Sequence, residues 1–306
     1  MERRKGRVVH ARPAKRSPHL ERSPRRPRVF VVGLGRLGAA LARGLAAHGW
    51  QLEGWSRSAR RRIPGVGVHA GGAPASIDAR LVLLTVPDRA VGLVAADLAA
   101  RGLVGRGQVV AHCAGALGLE PLRPAAEAGA EIGSLHPLVA ATGGAVQLGG
   151  RTAAVDGTAG AVRLLRRVAR TVGLRAIAVP ASERVRYHAA ASLAANGLVA
   201  LADLAAGLLA GAGLGREQAL AALLPLLESS LQNLEKRGLP DALTGPVARG
   251  DAAVVEDHLR ALDGEAALAY RALMRRAVAL AAEQGGADRE GLERIDRALR
   301  RPRRGR

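Results

Sequence analysis

From Val29 onward, short apolar runs alternate with longer stretches in which apolar residues recur every three or four positions. The first kind predicts strands and the second amphipathic helices. "RVFVVG" reads as a strand and "GRLGAALARGLAAHG" as a helix closed by Gly49. "WQLEGWSR" is a second strand, and "ARLVLLTVPD" a buried one ended by Pro87. The helix "DRAVGLVAADLAARG" follows, with Asp88 placed as its N-cap. "GQVVAHCAG" and "EIGSLHP" are further strands around the helical "LEPLRPAAEAGA". "RTAAVDG", the helix "TAGAVRLLRRVARTVG" and "LRAIAVP" complete the series.

Strand–helix alternation over about 150 residues predicts an α/β fold, a doubly wound parallel Rossmann sheet with helices on both faces. After Pro180 the strands stop and helix follows almost throughout. The expected organisation is a Rossmann domain over 29–180 and an all-helical domain over 181–288. A basic tail at 1–28, rich in Pro, Ser and Arg, is expected to be disordered. Residues 289–306 form a basic helix end and tail.

The formal charge of +20 suggests nucleic acid until it is located. Residues 1–28 carry eleven Lys/Arg against two Glu, and residues 289–306 eight Arg against three acids, so the body of the chain is only mildly basic. Aromatic content is 2%, which leaves no platform for stacking bases. No nucleic-acid role is expected. The single Cys113 excludes an internal disulfide and suits a reducing cytoplasm. The tail has no apolar core of a secretory signal.

The run "VFVVGLGRLGAALARGL" sets Gly33, Gly35 and Gly38 in a G-x-G-x-x-G pattern between a strand and a helix, the context in which that pattern holds a dinucleotide. Gly33 permits the tight turn, Gly35 lets the backbone approach a pyrophosphate, and Gly38 lets the helix pack on the sheet. Leu34, Arg36 and Leu37 complete the loop. The second strand ends in Ser56, Arg57 and Ser58 with no acid at its tip, and Glu53 lies three residues too early. An Arg flanked by hydroxyls suits a 2′-phosphate, so the expected cofactor is NADP(H).

Ligands of such sheets sit beyond the carboxyl ends of the strands. That rule selects Val86 and Pro87, Ala114, and the histidines His112 and His136. His112, Cys113, His136 and His188 have no tight metal-ligand spacing, and no metal is expected. In the apolar stretch 187–213, His188, Ser192 and Asn196 recur every four residues. As a continuous α-helix it would hold Ser192 and Asn196 about 6 Å apart along the axis, close enough to grip one small carbonyl together. In "LTGPVARGD", Asp251 is placed to N-cap the next helix, and Arg249 could bind a carboxylate.

The combination of "VGLGRLG", "SLHPL", "YHAAASLAANGLVAL" and "LTGPVARGD" resembles the Rossmann-like proteins whose C-terminal half is a domain of unknown function. These are similar in architecture to pyrroline-carboxylate reductase, ketopantoate reductase, 6-phosphogluconate dehydrogenase and deazaflavin-dependent NADP reductases. The resemblance covers residues 29 to about 285. It implies an NADP-binding N-domain, a helical, 6-phosphogluconate-dehydrogenase-like and often dimerising C-domain, and an active site between them. Relatives of the ketopantoate reductase and 6-phosphogluconate type carry a Lys four residues before the Asn. Here that position is Ser192, and a Ser that relatives place near the nicotinamide is Ala114. The reading is therefore an NADP-dependent oxidoreductase reducing a small keto or imino acid. Ser192 and Asn196 position the reacting group, His188 or His136 supplies the proton, and His136 and Arg249 contact substrate. The alternative is an NADP(H)-binding regulator without turnover.

The stretch 188–214 is also apolar enough to raise a membrane span. Its seven Leu give roughly −3.5 kcal/mol, which a central Asp203 at about +2.5 to +3.5 cancels before His188, Ser192, Asn196 and the glycines are added. A buried core helix, and a homodimer through the helical domain, are expected instead. Asn196 on so apolar a face is expected to need a hydrogen-bonding partner.

Overall fold

The computed structural model describes residues 26–57, 62–140 and 146–300. Most of the N-terminal tail, Ser58 and the last six residues lie outside that set. The chain forms two compact units, Met1–His188 and Ala189–Arg306.

The first unit is built on strands β1 (Arg28–Val32), β2 (Gln51–Ser56), β3 (Val66–Ala70), β4 (Leu81–Leu84), β5 (Val109–His112), β6 (Glu131–Pro137), β7 (Thr152–Gly157) and β8 (Arg175–Ala178). They make one sheet in the order β3-β2-β1-β4-β5-β6-β7-β8. Its first six strands run parallel in the doubly wound order. Side chains alternate across the sheet. Val29, Val31, Leu81 and Leu83 join one core with helices α1 (Arg36–Ala47) and, later in the chain, "AGAVRLLRRVART" (Ala159–Thr171), while Phe30, Val32, Val82 and Leu84 join the other with α2 (Asp88–Ala100) and α3 (Arg123–Glu127). Both faces are covered, which is why these strands read as unbroken apolar runs.

Three expectations are corrected. The sheet is mixed, not wholly parallel, because β7 runs antiparallel to β6 and β8 follows β7. Among the described residues between Pro137 and Thr152 there is no helix of the kind a parallel return needs as its crossover. β3 was not read from the sequence. "VGVHA" lies at the sheet edge with mostly exposed side chains, so it lacks the apolar signature of the central strands. Pro87, not Asp88, is the N-cap of α2, and Asp88 is its first helical residue.

Helix α4 (Ala159–Thr171) closes the sheet, and α5 (Arg184–Ser192) starts on the first unit. The unit boundary falls at 188, not near 180, because Arg184 and Tyr187 are hydrogen-bonded to β6. The second unit contains a π-helical turn (Leu193–Gly197), then α6 (Leu198–Gly211), α7 (Arg216–Arg237), α8 (Pro246–Arg249), α9 (Ala252–Ala261), α10 (Gly264–Gln284) and α11 (Arg289–Arg300). Its core comprises Val247, Ala252, Val255, Ala277, Ala281, Leu292, Ile295 and Leu299, contributed by α8 to α11.

The stretch expected to be a core helix is not buried in the single chain. Ala206 is the one buried residue of α6, while Leu193, Val199 and Leu208 stand exposed. From Ala181 to Gly211 the helix is long and apolar enough to cross a membrane. Asn196 is exposed as well, so no buried amide needs a partner.

Candidate active site

The glycine loop joins β1 to α1. Gly33 has φ +93°, a conformation side chains disfavour, and its N–H donates to Trp55 O at 2.8 Å. At Gly38 a β-carbon would collide with the Gly33 carbonyl and Thr85 Oγ1, and Thr85 in turn donates to Gly33 O. Gly35, the N-cap of α1, is different: a β-carbon there would meet nothing within 4 Å. The loop thus has two glycines fixed by the fold and one that no contact within the chain requires. The first turn of α1 contains no acid, so its partial positive end is uncancelled. Leu34 packs against Gly54 of β2, and Arg36 and Leu37 open the helix.

β2 ends at Ser56, with Arg57 exposed just beyond it. Glu53 is held by His69 of β3 at 3.1 Å, three residues before the tip. Trp55, missed by the sequence reading, ties this tip to β3 through an indole N–H to Gly71 O bond of 3.1 Å. Val86 and Pro87 follow β4 directly, and Ala114 follows β5 with only 6% of its surface exposed.

A second cluster lies at β5, β6 and the start of α5. Successive same-face positions of β6 carry Ser134 and His136. The i, i+3, i+4 face of α5 carries Arg184, Tyr187 and His188. His136 Nδ1 meets Tyr187 Oη at 2.9 Å. The phenol's other acceptor, His136 O, is 3.5 Å away, so the O–H is assigned to Nδ1 and the imidazole proton to Nε2. His188 stands edge-on to His136 with ring centres 5.9 Å apart, and its buried Nδ1 has no partner. A β-carbon on Gly115 would collide with His188 Nδ1 and lie 2.8 Å from His136 Nε2. Both nitrogens therefore face the spot that Gly115 leaves bare.

Burial, aided by the fields of His188, Arg184 and His112, pushes His136 down to about 4, so it is neutral near pH 7. The proton that His136 is expected to supply is then the one on Nε2 of the neutral ring. Burial also raises the Tyr187 phenol, which keeps its proton. His112 is structural: Nε2 pairs with Gly118 O at 2.8 Å, and Nδ1 accepts from Ala114 N–H at 3.2 Å. Burial pushes the Cys113 thiol up to about 12, far from a thiolate. Among the described residues no three His, Cys, Asp or Glu side chains converge as metal ligands.

Arg184 was not foreseen. Among the described residues it is the largest fully buried side chain, 1% exposed, with Nη2 on Ser134 Oγ and Nε and Nη1 unpartnered. The other sequence candidates belong to the second unit. Ser192 ends α5, and Asn196 lies in the π turn, which breaks the continuous α-helical spacing assumed between them. Such turns recur at functional sites. Arg249 is exposed at the end of α8. Asp251 does cap α9, its Oδ1 accepting from Val254 N–H at 3.4 Å.

Residues 12–137 match a Rossmann-like domain, and residues 151–277 match a domain of unknown function (DUF2520). The chain thus pairs a Rossmann-like domain with a DUF2520 C-terminal domain. Many solved structures share the fold, among them the three described next. The Thermotoga maritima protein TM1727 is 23% identical, with 84% of this chain and 99% of that one covered at a TM-score of 0.66. A reductive aminase from Aspergillus terreus in complex with NADPH and ethyl-5-oxohexanoate is 19% identical, with 89% and 99% covered at 0.59. Pyrroline carboxylate reductase from Plasmodium falciparum with NADP bound is 12% identical, with 90% and 96% covered at 0.53. No protein of curated function matches the sequence.

Proposed function

We propose that the chain is an NADP(H)-dependent reductase of a small keto or imino acid. The observation that carries this reading is the bare Gly35 at the uncancelled N-terminus of α1, followed by a β2 tip bearing Ser56 and Arg57 in place of an acid. Gly33 and Gly38 shape the loop, the N–H groups of Arg36, Leu37 and Gly38 would hold the pyrophosphate, and Arg57 with Ser56 would hold the 2′-phosphate. Ser58 belongs to the same tip in sequence. Val86, Pro87 and Ala114 are assigned to the nicotinamide end. NADP-linked relatives with this fold support the assignment.

Reduced nicotinamide, when bound, supplies hydride to a C=O or C=N carbon. The protein's part is to hold that group and manage one proton. Neutral His136 donates from Nε2 to the acceptor oxygen or nitrogen. As that proton leaves, the Tyr187 O–H is placed to refill Nδ1, and His188 offers the second imidazole. Ser192, Asn196 and Arg249 are retained as substrate contacts, to be judged by mutation. A binder without turnover is the second reading, favoured by Ser192 standing where related enzymes carry Lys.

The helical unit is read as a homodimerisation unit in the cytoplasm. The exposed Leu and Val of α6 and α7 need cover, and the exposed ion pair of Asp203 with Arg216 beside them fits a protein interface better than hydrocarbon.

The test of the cofactor is a fluorescence titration of the full chain with NADPH and NADH. One charge-assisted contact at a 2′-phosphate amounts to about 1.5–3 kcal/mol, so a preference for NADPH of at least roughly tenfold is expected, and Arg57→Ala should abolish it. Equal affinity for the two would remove the NADP assignment.

A further inference from the structure

Among the described residues, Arg184 is the buried cation on the face of α5 that also carries Tyr187 and His188. Arg184 is fully buried between α5 and β6, hydrogen-bonded to the neutral Ser134 Oγ and to no carboxylate. The acid whose field reaches it is Asp156, cross-strand from Ser134, and Asp156 Oδ1 is occupied by Gly157 N–H at 2.8 Å. At His136 the fields of His188, Arg184 and His112 all oppose added positive charge, with burial in the same direction. His136, neutral near pH 7, and His188 thus face Gly115 beside a buried guanidinium whose Nε and Nη1 have no hydrogen-bond partner.

The two substrate types left open above differ in charge at this point. A C=N substrate is reduced as its protonated iminium, and a buried cation beside a guanidinium whose Nε and Nη1 are unpartnered is disfavoured. A C=O substrate arrives uncharged at the reacting group, and its oxygen gains negative charge as hydride adds, which the same field stabilises. A carboxylate on that substrate is favoured for the same reason.

We propose that this site selects an anionic carbonyl substrate, a 2-keto acid, over an iminium, and that Arg184 is the positioning residue that sets the choice. The proposal rests on the reductase reading and sharpens it. The balance is that of a simple carbonyl reduction. A C–H bond forms at the carbonyl carbon with hydride from NADPH, and the C=O π pair moves to oxygen. Oxygen takes one proton from the His136–Tyr187 pair, restored from water. The keto acid is reduced to a 2-hydroxy acid, and NADPH is oxidised to NADP+.

The test has a binding arm and a turnover arm, each on the full chain and on Arg184→Met and Arg184→Lys. Without nucleotide, oxamate, an uncharged-amide analogue of a keto acid's carbonyl on a carboxylate, should raise the melting temperature of the natural chain and of Arg184→Lys but not of Arg184→Met. With NADPH, pyruvate should outrun the cyclic imine 1-pyrroline in kcat/KM, and Arg184→Met should shrink that ratio by about tenfold while Arg184→Lys keeps it. A general loss of structure would lower both rates together and leave the ratio alone, so an unchanged ratio in a folded Arg184→Met overturns the proposal. So does a natural preference for 1-pyrroline, which leaves the reductase reading standing. Absence of NADPH oxidation with either compound, beside an Arg184-dependent oxamate shift, supports the anion preference and overturns the reductase. Absence of the oxamate shift together with no keto preference overturns the inference.

Discussion

Gly35 and Gly38 lie three residues apart in one motif, yet the structure assigns them opposite kinds of duty, and alanine at each tells the two apart. At Gly38 the added methyl would collide with the backbone carbonyl of Gly33 and with Thr85 Oγ1, which is itself tied to that carbonyl. Backbone cannot swing aside, so overpacking in the upper part of about 1–3 kcal/mol is expected, which a gain of ~1 kcal/mol in helix propensity reduces to about 1–2 kcal/mol. For a unit of this size 1 kcal/mol corresponds to roughly 2–4 °C, which puts Gly38→Ala about 2–8 °C below the natural chain. At Gly35 the methyl meets nothing within 4 Å and φ is −67°, so alanine fits. Its cost is that of a poorer N-cap, about 0.5–1 kcal/mol. If a pyrophosphate seats on this backbone, however, the methyl holds it away from the helix N–H groups. Loss of one charge-assisted bond, about 1.5–3 kcal/mol, weakens NADPH at least roughly tenfold. The assays are calorimetric melting without nucleotide and fluorescence titration with NADPH. Gly35→Ala binding NADPH as tightly as the natural chain would show that the bare site serves no phosphate, and Gly38→Ala melting unchanged would refute the packing argument.

His136 titrates near 4 when folded and near ~6.5 when unfolded, so the unfolded chain binds the extra proton first as pH falls between those values. Stability is expected to drop by about 2–3 kcal/mol from pH 7 to pH 4, and His136→Gln should flatten that part of a urea-midpoint profile; parallel profiles for the two chains would exclude His136 as the group responsible. Replacing Leu201 and Leu208 by Arg, seven residues apart on one exposed face of α6, should leave far-UV circular dichroism unchanged and halve the mass seen by light scattering. A natural chain that is monomeric, or that floats with vesicles, would sink the dimer. Asp251→Ala removes the cap on α9, and a loss of about 0.5–1 kcal/mol should appear as a melting point lower by ~1–4 °C, with no loss meaning that the 3.4 Å bond contributes nothing.

The sequence was legible where burial on both sides of the sheet leaves unbroken apolar runs, as in β1, β4 and β5, and where a glycine pattern sits between strand and helix. β3 was illegible because an edge strand needs neither. The direction of β7 was recoverable in principle. The strand readings placed "EIGSLHP" and "RTAAVDG" in succession with no helix between them, and a parallel return needs a crossover. Arg184 was hidden for another reason. "SERVRYH" reads as a charged surface turn, and nothing local to it says that the first unit extends through His188. The pairing of its i, i+3, i+4 face with the i, i+2 positions Ser134 and His136 appears only when β6 and α5 are set side by side.

That pairing also changes how the motif and the histidines relate. The loop at α1 attracts negative charge through backbone N–H groups and a helix end, a partial charge open to solvent and screened by salt. Arg184 carries a full charge out of contact with water, which salt screens far less. A phosphate-bearing cofactor and an anionic substrate would thus both be drawn to the same unit by fields of one sign but of different reach. Raising ionic strength should weaken nucleotide affinity and leave the Arg184-dependent choice between keto acid and imine nearly untouched. If salt erased both alike, the guanidinium would be acting through solvent, and its burial would be no part of the selection.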